Sequence, residues 1–462
     1  MQERIMERCP TILAKKGEIY VGEDKISKLP DEVLVSILSR LTMKEAARTS
    51  VVAHRWLKVW TFCPSLNFDD SQTFLSLYGE SRSPSEEQKQ GYVNRVNSVL
   101  EAYQGSTIDD FQVHFDLDAK YKCDIDRWVN FVFQKGVKRL VIDFGLYYVG
   151  GMRENNVYPF PLSCNNSALW RTQTLHLLSV LKLKYVDVSG AVVEYFISAC
   201  PFLEKLTIEG STSQDLVHLN VQSHCLKKVK LYHCWQMKSI CLSTTTLLSF
   251  KFYGSTIDIC YANVPNLVEV FLGGSFPELA IAYFPRLSNC LSRLERLTIY
   301  VPVLPEEDMD EDGEPPEFPV LTKLKILKLR VSADNFDSLL VFDSLMKAVP
   351  SLDRLVVQFS NWWAAPFRRR AQKVPKSPLR CLKVAELVGF WGRIPELEFA
   401  TYLIKNAVML EKIIIDPIPY HRVGLQFDTD DERLKKIQAS KKCAMRLRSK
   451  FSLGNKLVLR NF

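Results

Sequence analysis

The 462-residue sequence predicts an α/β fold: a compact three-helix unit at the N-terminus, then a curved solenoid of parallel strands closed by a C-terminal cap. Three observations carry this. Residues 26–60 hold three short amphipathic segments. From Val137 onward a Leu-x-x-Leu-x-Leu pattern with conservative swaps recurs at intervals of roughly 20 to 35 residues. Near the end, an amphipathic helix around Glu396 to Ala407 separates two strand-like runs.

In the first unit, Pro30 sits at a helix start, where its missing N–H costs nothing. Asp31 and Glu32 follow in the first turn, where the helix dipole favours acids. Leu34, Ile37, Leu38 and Leu41 then repeat at helical spacing as one apolar stripe. Thr42 and Glu45 form a capping box for a second helix. Ser50 is placed to cap a third, which carries Val51, Val52, Trp56, Leu57 and Trp60. This is more large apolar surface than three short helices keep to themselves, and it predicts a partner groove.

The segment resembles an F-box. The resemblance rests on Leu29-Pro30, the Leu34/Ile37/Leu38 stripe, Leu41, Thr49-Ser50-Val51, Arg55-Trp56 and Trp60. It implies docking on a Skp-family adaptor and, through it, on a cullin. The implied contact set is Leu29, Pro30, Leu34, Ile37, Leu38, Leu41, Trp56 and Trp60, with the two tryptophans completing the contact or its support.

The bulk numbers are those of an ordinary globular chain: 47% apolar and 24% charged residues, net charge +8. No apolar run is long enough to span a bilayer, which takes roughly 18 to 20 residues. Residues 1–23 read as a loose leader, since Glu3 and Glu7 interrupt any targeting pattern. The 12 cysteines include no CxxC pair, so no structural metal is expected. The grouping His218, His224, Cys225, His233 and Cys234 fits no common ligand spacing. Scattered cysteines without a secretory signal point to the cytoplasm or the nucleus.

The repeat reads Val137/Leu140/Ile142, Thr172/Leu175/Leu177, Leu203/Leu206/Ile208, Leu226/Val229/Leu231 and Leu247/Phe250/Phe252. It continues as Leu267/Val270/Leu272, Leu294/Leu297/Ile299, Leu324/Leu327/Leu329, Leu352/Leu355/Val357, Leu379/Leu382/Val384 and Leu410/Ile413/Ile415. This is the signature of leucine-rich repeats, in which each unit contributes one short strand and stacking buries a continuous core. Pro201, Pro265 and Pro350 precede three of the strands. Small residues follow others, as in Gly210-Ser211, Gly254-Ser255 and Gly274-Ser275. Cys234 takes the place where such repeats carry Asn or Cys.

Asp126-Arg127-Trp128-Val129 leading to Gly136-Val137-Lys138-Arg139-Leu140, and Cys200-Pro201-Phe202-Leu203-Glu204-Lys205-Leu206, resemble plant F-box proteins with leucine-rich repeats. Leu382-Lys383-Val384, Glu386, Phe390-Trp391-Gly392, Glu396-Leu397-Glu398 and Lys405-Asn406-Ala407 resemble the FBD domain at the end of those proteins. The expected organisation is a leader at 1–23, an F-box at 24–64 and a linking region with helices and first strands at 65–136. Repeats follow at 137–374 and an FBD-like cap at 375–462, which covers the last repeat's core.

Positions three, five and seven of each motif point to the sheet's open face. There the sequence places Lys205, Lys228, Lys230, Lys251, Arg296, Lys328, Arg330, Arg354, Lys383 and Lys412, interleaved with Tyr232, Tyr253, Phe271 and Tyr300. Glu209, Glu269 and Asp416 are the acids from the third repeat onward. A target-binding set of Lys228, Lys230, Lys251, Tyr253, Phe271, Arg296 and Tyr300 suits an acidic or phosphorylated protein. A merely solubilising surface is the other reading. Two more remain open: the acidic loop 305–319 is either solvated chain or a lid, and Arg368–Lys376 is either an import signal or a basic loop.

No Gly-rich phosphate loop, HExxH or GxSxG is present. With no such motif to set against it, the F-box resemblance implies a non-catalytic subunit of an Skp–cullin–F-box ubiquitin ligase that recruits a target by proximity. No cofactor is expected, and neither a membrane nor a nucleic acid is expected as a partner. The alternatives are a non-ligase interaction scaffold and a receptor whose small-molecule ligand completes the target site.

Overall fold

In the computed structural model, residues 26, 28–49, 56–71, 83–145, 156–161, 175–274, 293–301, 320–332, 339–360, 373–418 and 430–461 are described. Ser50–Arg55, the acidic loop 305–319 and Arg368–Arg370 of the basic run lie outside them. The chain starts with α1 (Asp31–Leu38), α2 (Met43–Thr49) and α3 (Trp56–Val59). The Thr42 amide donates to Glu45 Oε2 at 2.9 Å, and the Glu45 amide to Thr42 Oγ1 at 3.3 Å. This is the capping box read from the sequence.

Strands then follow in quick succession. The first seven are β1 (Ser65–Asp69), β2 (Asp110–His114), β3 (Arg139–Asp143), β4 (Tyr158–Pro159), β5 (Val180–Lys184), β6 (Val186–Asp187) and β7 (Lys205–Glu209). The middle of the chain holds β8 (His218–Gln222), β9 (Lys228–Tyr232), β10 (Ser239–Ser243), β11 (Ser249–Gly254), β12 (Asp258–Asn263) and β13 (Glu269–Gly274). The last are β14 (Arg296–Val301), β15 (Ile326–Ser332), β16 (Arg354–Ser360), β17 (Val384–Val388), β18 (Lys412–Asp416) and β19 (Leu457–Leu459).

One 14-stranded sheet runs β1-β2-β3-β5-β7-β9-β11 and then from β13 through β19 in sequence order. Every pairing is parallel, as β7 with β9 and β11 with β13 show. Such an order arises when each turn of chain lays one strand beside the last. Leu206, Val229, Phe250, Val270, Leu297, Leu327 and Leu355 are all at most 1% exposed and belong to one core. They occupy equivalent register positions on consecutive strands. That single stack is the architecture the repeat pattern predicts.

Behind the sheet, α4 (Glu86–Ala102), α5 (Lys122–Gln134) and α6 (Gly190–Ala199) pack against the first strands. In the shorter middle repeats the returning chain forms strands instead. β8, β10 and β12 make a second, three-stranded parallel sheet. Its alternating Leu219/Val221, Ile240/Leu242 and Ile259/Tyr261 are buried against the first sheet. This outer sheet is not among the elements expected from the sequence, because its runs also read as repeat interior.

Two repeats slip from their predicted frame. Leu175–Leu177 is a short 3-10 turn and Thr172 lies outside the described residues; the strand is β5, and the motif falls on Leu178, Leu181 and Leu183, all buried. In the second, Leu355 pairs with Ala385 and Val357 with Leu387. The frame is therefore Leu382/Ala385/Leu387, and Leu379 instead bridges to Ala407. The first slip is by six residues and the second by three, each to a position where another leucine can start the motif.

At the C-terminal end, α7 (Asp343–Lys347) precedes β16, and α8 (Ile394–Asn406) joins β17 to β18. α9 (Asp430–Lys450) leads into β19, which covers the edge of β18. The FBD-like residues shape this region. Buried Glu396 accepts from the amides of Trp391, Gly392 and Arg393 at 2.7, 2.8 and 3.1 Å. These are the orphan donors ahead of α8. Asn406 accepts from the Ser377 amide and donates to the Pro375 carbonyl, so the chain entering the last repeats is tied to the helix end.

Candidate interaction surfaces

The F-box-like unit has its own small core: Leu34, Leu38, Ala46, Trp56, Val59 and Cys63, all at most 5% exposed. Burial pushes the Cys63 thiol up to about 11. Leu34 and Leu38 are therefore interior residues, which corrects their expected place in the adaptor contact, and Trp56 is interior too, in the supporting place the sequence allowed it. Leu29 and Leu41 are half-buried against that core. Trp60 packs against both this core and that of the solenoid, which makes it the joint between them.

What α1 leaves outside is a second stripe. Val33 and Ile37 are each 41% exposed and one helical turn apart, and Ile26 is 57% exposed. Pro30 is exposed beside them. Of the eight residues predicted for the contact, Ile37 and Pro30 are thus the accessible ones, and Val33 and Ile26 are accessible apolar residues outside that set. Val33 lies one residue before Leu34, on the helix's other flank. A stripe three positions wide does not reveal from sequence which flank the other helices cover.

The second surface is the open face of the large sheet. Register places Lys230, Lys251 and Phe271 in one row, and Lys228, Ser249, Glu269 and Arg296 in another. The predicted target set is brought together on one face. Its charges, however, are not all free. Lys230 pairs with Glu209 and Lys251 with Glu269, each at 2.9 Å. Phe271 is 5% exposed, stacked on Tyr232 at 5.4 Å and covered by the Arg330 guanidinium at 5.2 Å. It supports the surface and does not line it. Tyr232, Tyr253 and Tyr300 remain partly exposed as a continuous aromatic strip. Gly273 makes the strip continuous, because a side chain there would meet the Tyr253 ring at 2.7 Å.

The two frame slips change the chemistry of this face. Lys383 leaves it and pairs with Asp353 at 3.0 Å. Glu386 takes its place and is clamped between Arg354 at 2.6 Å and Arg460 at 2.7 Å. At the other slip, β5 adds Lys182 and Lys184, which the predicted frame hid. The signal was present, since Leu178-x-x-Leu181-x-Leu183 matches the motif with three leucines.

Toward the F-box end, the last row of the face is an alternating ion ladder. His114 Nδ1 lies 3.3 Å from Asp69, and Nε2 lies 3.9 Å from Asp143. Asp143 also holds Lys184 at 2.9 Å, which lies 3.8 Å from Glu209. Burial alone would lower the His114 pKa, but the Asp69 hydrogen bond and the Asp143 charge outweigh it and raise it. A raised folded-state value stabilises the fold below the unfolded pKa of about 6.5 and is lost as pH rises past the folded one. His114→Gln should therefore flatten the pH dependence of stability from about pH 6.5 upward. Denaturant midpoints at a series of pH values measure this, and an unchanged slope contradicts the ladder's role.

Among the described residues no group of three His, Cys, Asp or Glu side chains could hold a metal. Cys234 is buried, and its thiol lies 3.6 Å from the Tyr232 carbonyl. Burial raises its pKa to about 12. No helix among the described residues is long and apolar enough to cross a membrane.

Residues 26–67 match the F-box domain, and residues 99–456 match the family described as "At1g61320/AtMIF1, LRR domain". The chain belongs to the F-box/FBD/LRR-repeat proteins. It is 24% identical to F-box/FBD/LRR-repeat protein At3g52680 of Arabidopsis thaliana, over 92% of this chain and 90% of that one. With F-box/LRR-repeat protein At3g58900 of the same plant it shares 32% identity, over 58% of this chain and 84% of the relative. F-box protein At3g58860, also of Arabidopsis thaliana, is 30% identical over 54% of this chain, which spans only 55% of that relative's length.

Proposed function

We propose that this F-box protein is the target-recognising subunit of an Skp–cullin–F-box ubiquitin ligase. The exposed apolar stripe on α1 carries the reading. Ile26, Val33 and Ile37 lie on a unit whose own core is already complete without them. Exposed side chains of this size on so small a unit find their place at a partner interface. The partner of the F-box is a Skp-family adaptor, and a cullin is held through it. The open face of the sheet takes the target. The chain's contribution is proximity, with the thioester chemistry on other subunits.

Co-purification of the full chain from plant cells tests this. An adaptor and a cullin are both expected, together with ubiquitination of whatever the sheet captures. Recovery of the adaptor without a cullin would favour an interaction scaffold, and recovery of neither would reject the reading.

A further inference from the structure

The corrected frame of β5 places on this face a cluster of cations that the predicted frame did not include. Lys182 stands between Val141 and Thr207 across the neighbouring strands, two residues with no charge to offer it. Arg139 and Lys205 flank it diagonally, one on each side, from the preceding register row. Lys228 continues that row, and Lys230 lies across Thr207. The acids nearby are committed elsewhere: Asp110 to Arg139 at 2.8 Å, Asp143 to Lys184, and Glu209 to Lys184 and Lys230. Lys182, Lys205 and Lys228 are left with no ion pair among the described residues. Partial burial, and then the charges of Arg139, Lys184, Lys205 and Lys230, depress the Lys182 pKa. A crowded, uncompensated cationic cluster on an open sheet face is an anion site in want of an anion.

The aromatic strip begins two strands further along, at Tyr232 on β9, and continues at Tyr253 on β11. From Lys182 to Tyr253 is three strand spacings across the sheet and one step of the pleat along it, about 16 Å. An extended peptide covers that distance in about five residues.

We infer that the open face reads a two-point motif in an extended segment of the target protein: a doubly negative group seated over Lys182, Lys205 and Lys228, and an apolar or aromatic side chain laid on Tyr232 and Tyr253 about five residues away. The segment crosses the strands. The inference rests on the reading of this face as the target surface, and it specifies what that surface recognises. The complementarity is of charge at one end and of apolar area at the other. Neither element suffices alone, because Lys230 and Lys251, nearest the aromatic strip, are already neutralised by Glu209 and Glu269.

Fluorescence anisotropy with the full chain and synthetic fluorescein-labelled peptides tests it. The peptides carry a phosphoserine in one series and two adjacent aspartates in the other, separated from a single Leu or Tyr by a Gly/Ser spacer of varied length. Affinity is expected to peak at a separation of about five residues and to fall at least tenfold when the two groups are adjacent. Lys182→Gln should weaken the best peptide at least tenfold and make its binding indifferent to the acidic group. Tyr253→Ala should make it indifferent to the apolar one. Lys205→Gln with Lys228→Gln, two exposed positions, repeats the first result where folding is not in question. Stronger binding of the phosphoserine series assigns the anion to a modified residue, and equal binding assigns it to an acidic stretch. Affinity independent of spacing, or unmoved by Lys182→Gln, overturns the inference. So does tighter, Lys182-dependent capture of a single-stranded RNA. Adaptor capture is read separately. Its loss rejects the ligase reading and leaves the motif standing, while peptide failure with adaptor retained does the reverse.

Discussion

Val33→Ala together with Ile37→Ala is expected to weaken capture of the Skp-family adaptor by well over tenfold while leaving the melting temperature unchanged. Both side chains are 41% exposed, so their removal opens no cavity. Apolar anchors at interface centres cost about 2 kcal/mol or more when truncated. Leu34→Ala should behave in the opposite way. Leu34 is fully buried among Leu38, Ala46, Trp56 and Cys63, and such a truncation costs about 2 to 5 kcal/mol. A unit of three short helices has little stability to spare. The F-box-like segment should then lose its structure, read as hydrogen exchange across α1 to α3, and adaptor capture would fail through unfolding. If the double variant captured the adaptor normally, the exposed stripe would not be the docking surface. If Leu34→Ala left exchange protection intact, the assignment of the small core would be wrong.

The second large effect is at Phe250. Its side chain is fully buried, lies in register between Val229 and Val270, and meets Tyr261 of the outer sheet edge-on at 6.4 Å. It therefore ties the two sheets together in the middle of the array. Phe250→Ala should cost about 3 to 5 kcal/mol. Because each repeat contacts mainly its neighbours, the loss should divide the array and not destabilise it evenly. Denaturant unfolding should split into two transitions. Target capture should fall, while adaptor capture persists, since the F-box unit has a separate core. A single transition displaced by under about 1 kcal/mol would show that the sheets are not coupled through this residue.

How much of this was legible in the sequence follows from what each signal depends on. The stack of Leu206, Val229, Phe250 and Val270 could be read directly, because a period-two strand inside a fixed repeat has only one way to bury its leucines. The capping box of Thr42 and Glu45 could also be read, since it involves residues three apart. The frame of β5 could not be settled by spacing alone. Two successive matches to the motif compete there, Thr172/Leu175/Leu177 and Leu178/Leu181/Leu183, and pairing with β3 and β7 selects Leu181 and Leu183. That selection moves Lys182 and Lys184 onto the face and so relocates its free charge.

The sequence by itself determined the class of fold, the F-box-like unit and, in the repeats with a single match to the motif, the side of each strand that faces outward, because these rest on local periodicity. The tertiary structure alone decided which side chains are accessible and which charges are spent. Whether Leu34 or Val33 faces outward depends on where α2 and α3 pack. Whether Lys230 or Lys182 is free depends on a glutamate one strand away, at Glu209. Burial and ion pairing are properties of neighbours distant in sequence, and a pattern of residue types along one strand carries no record of what the next strand places beside it.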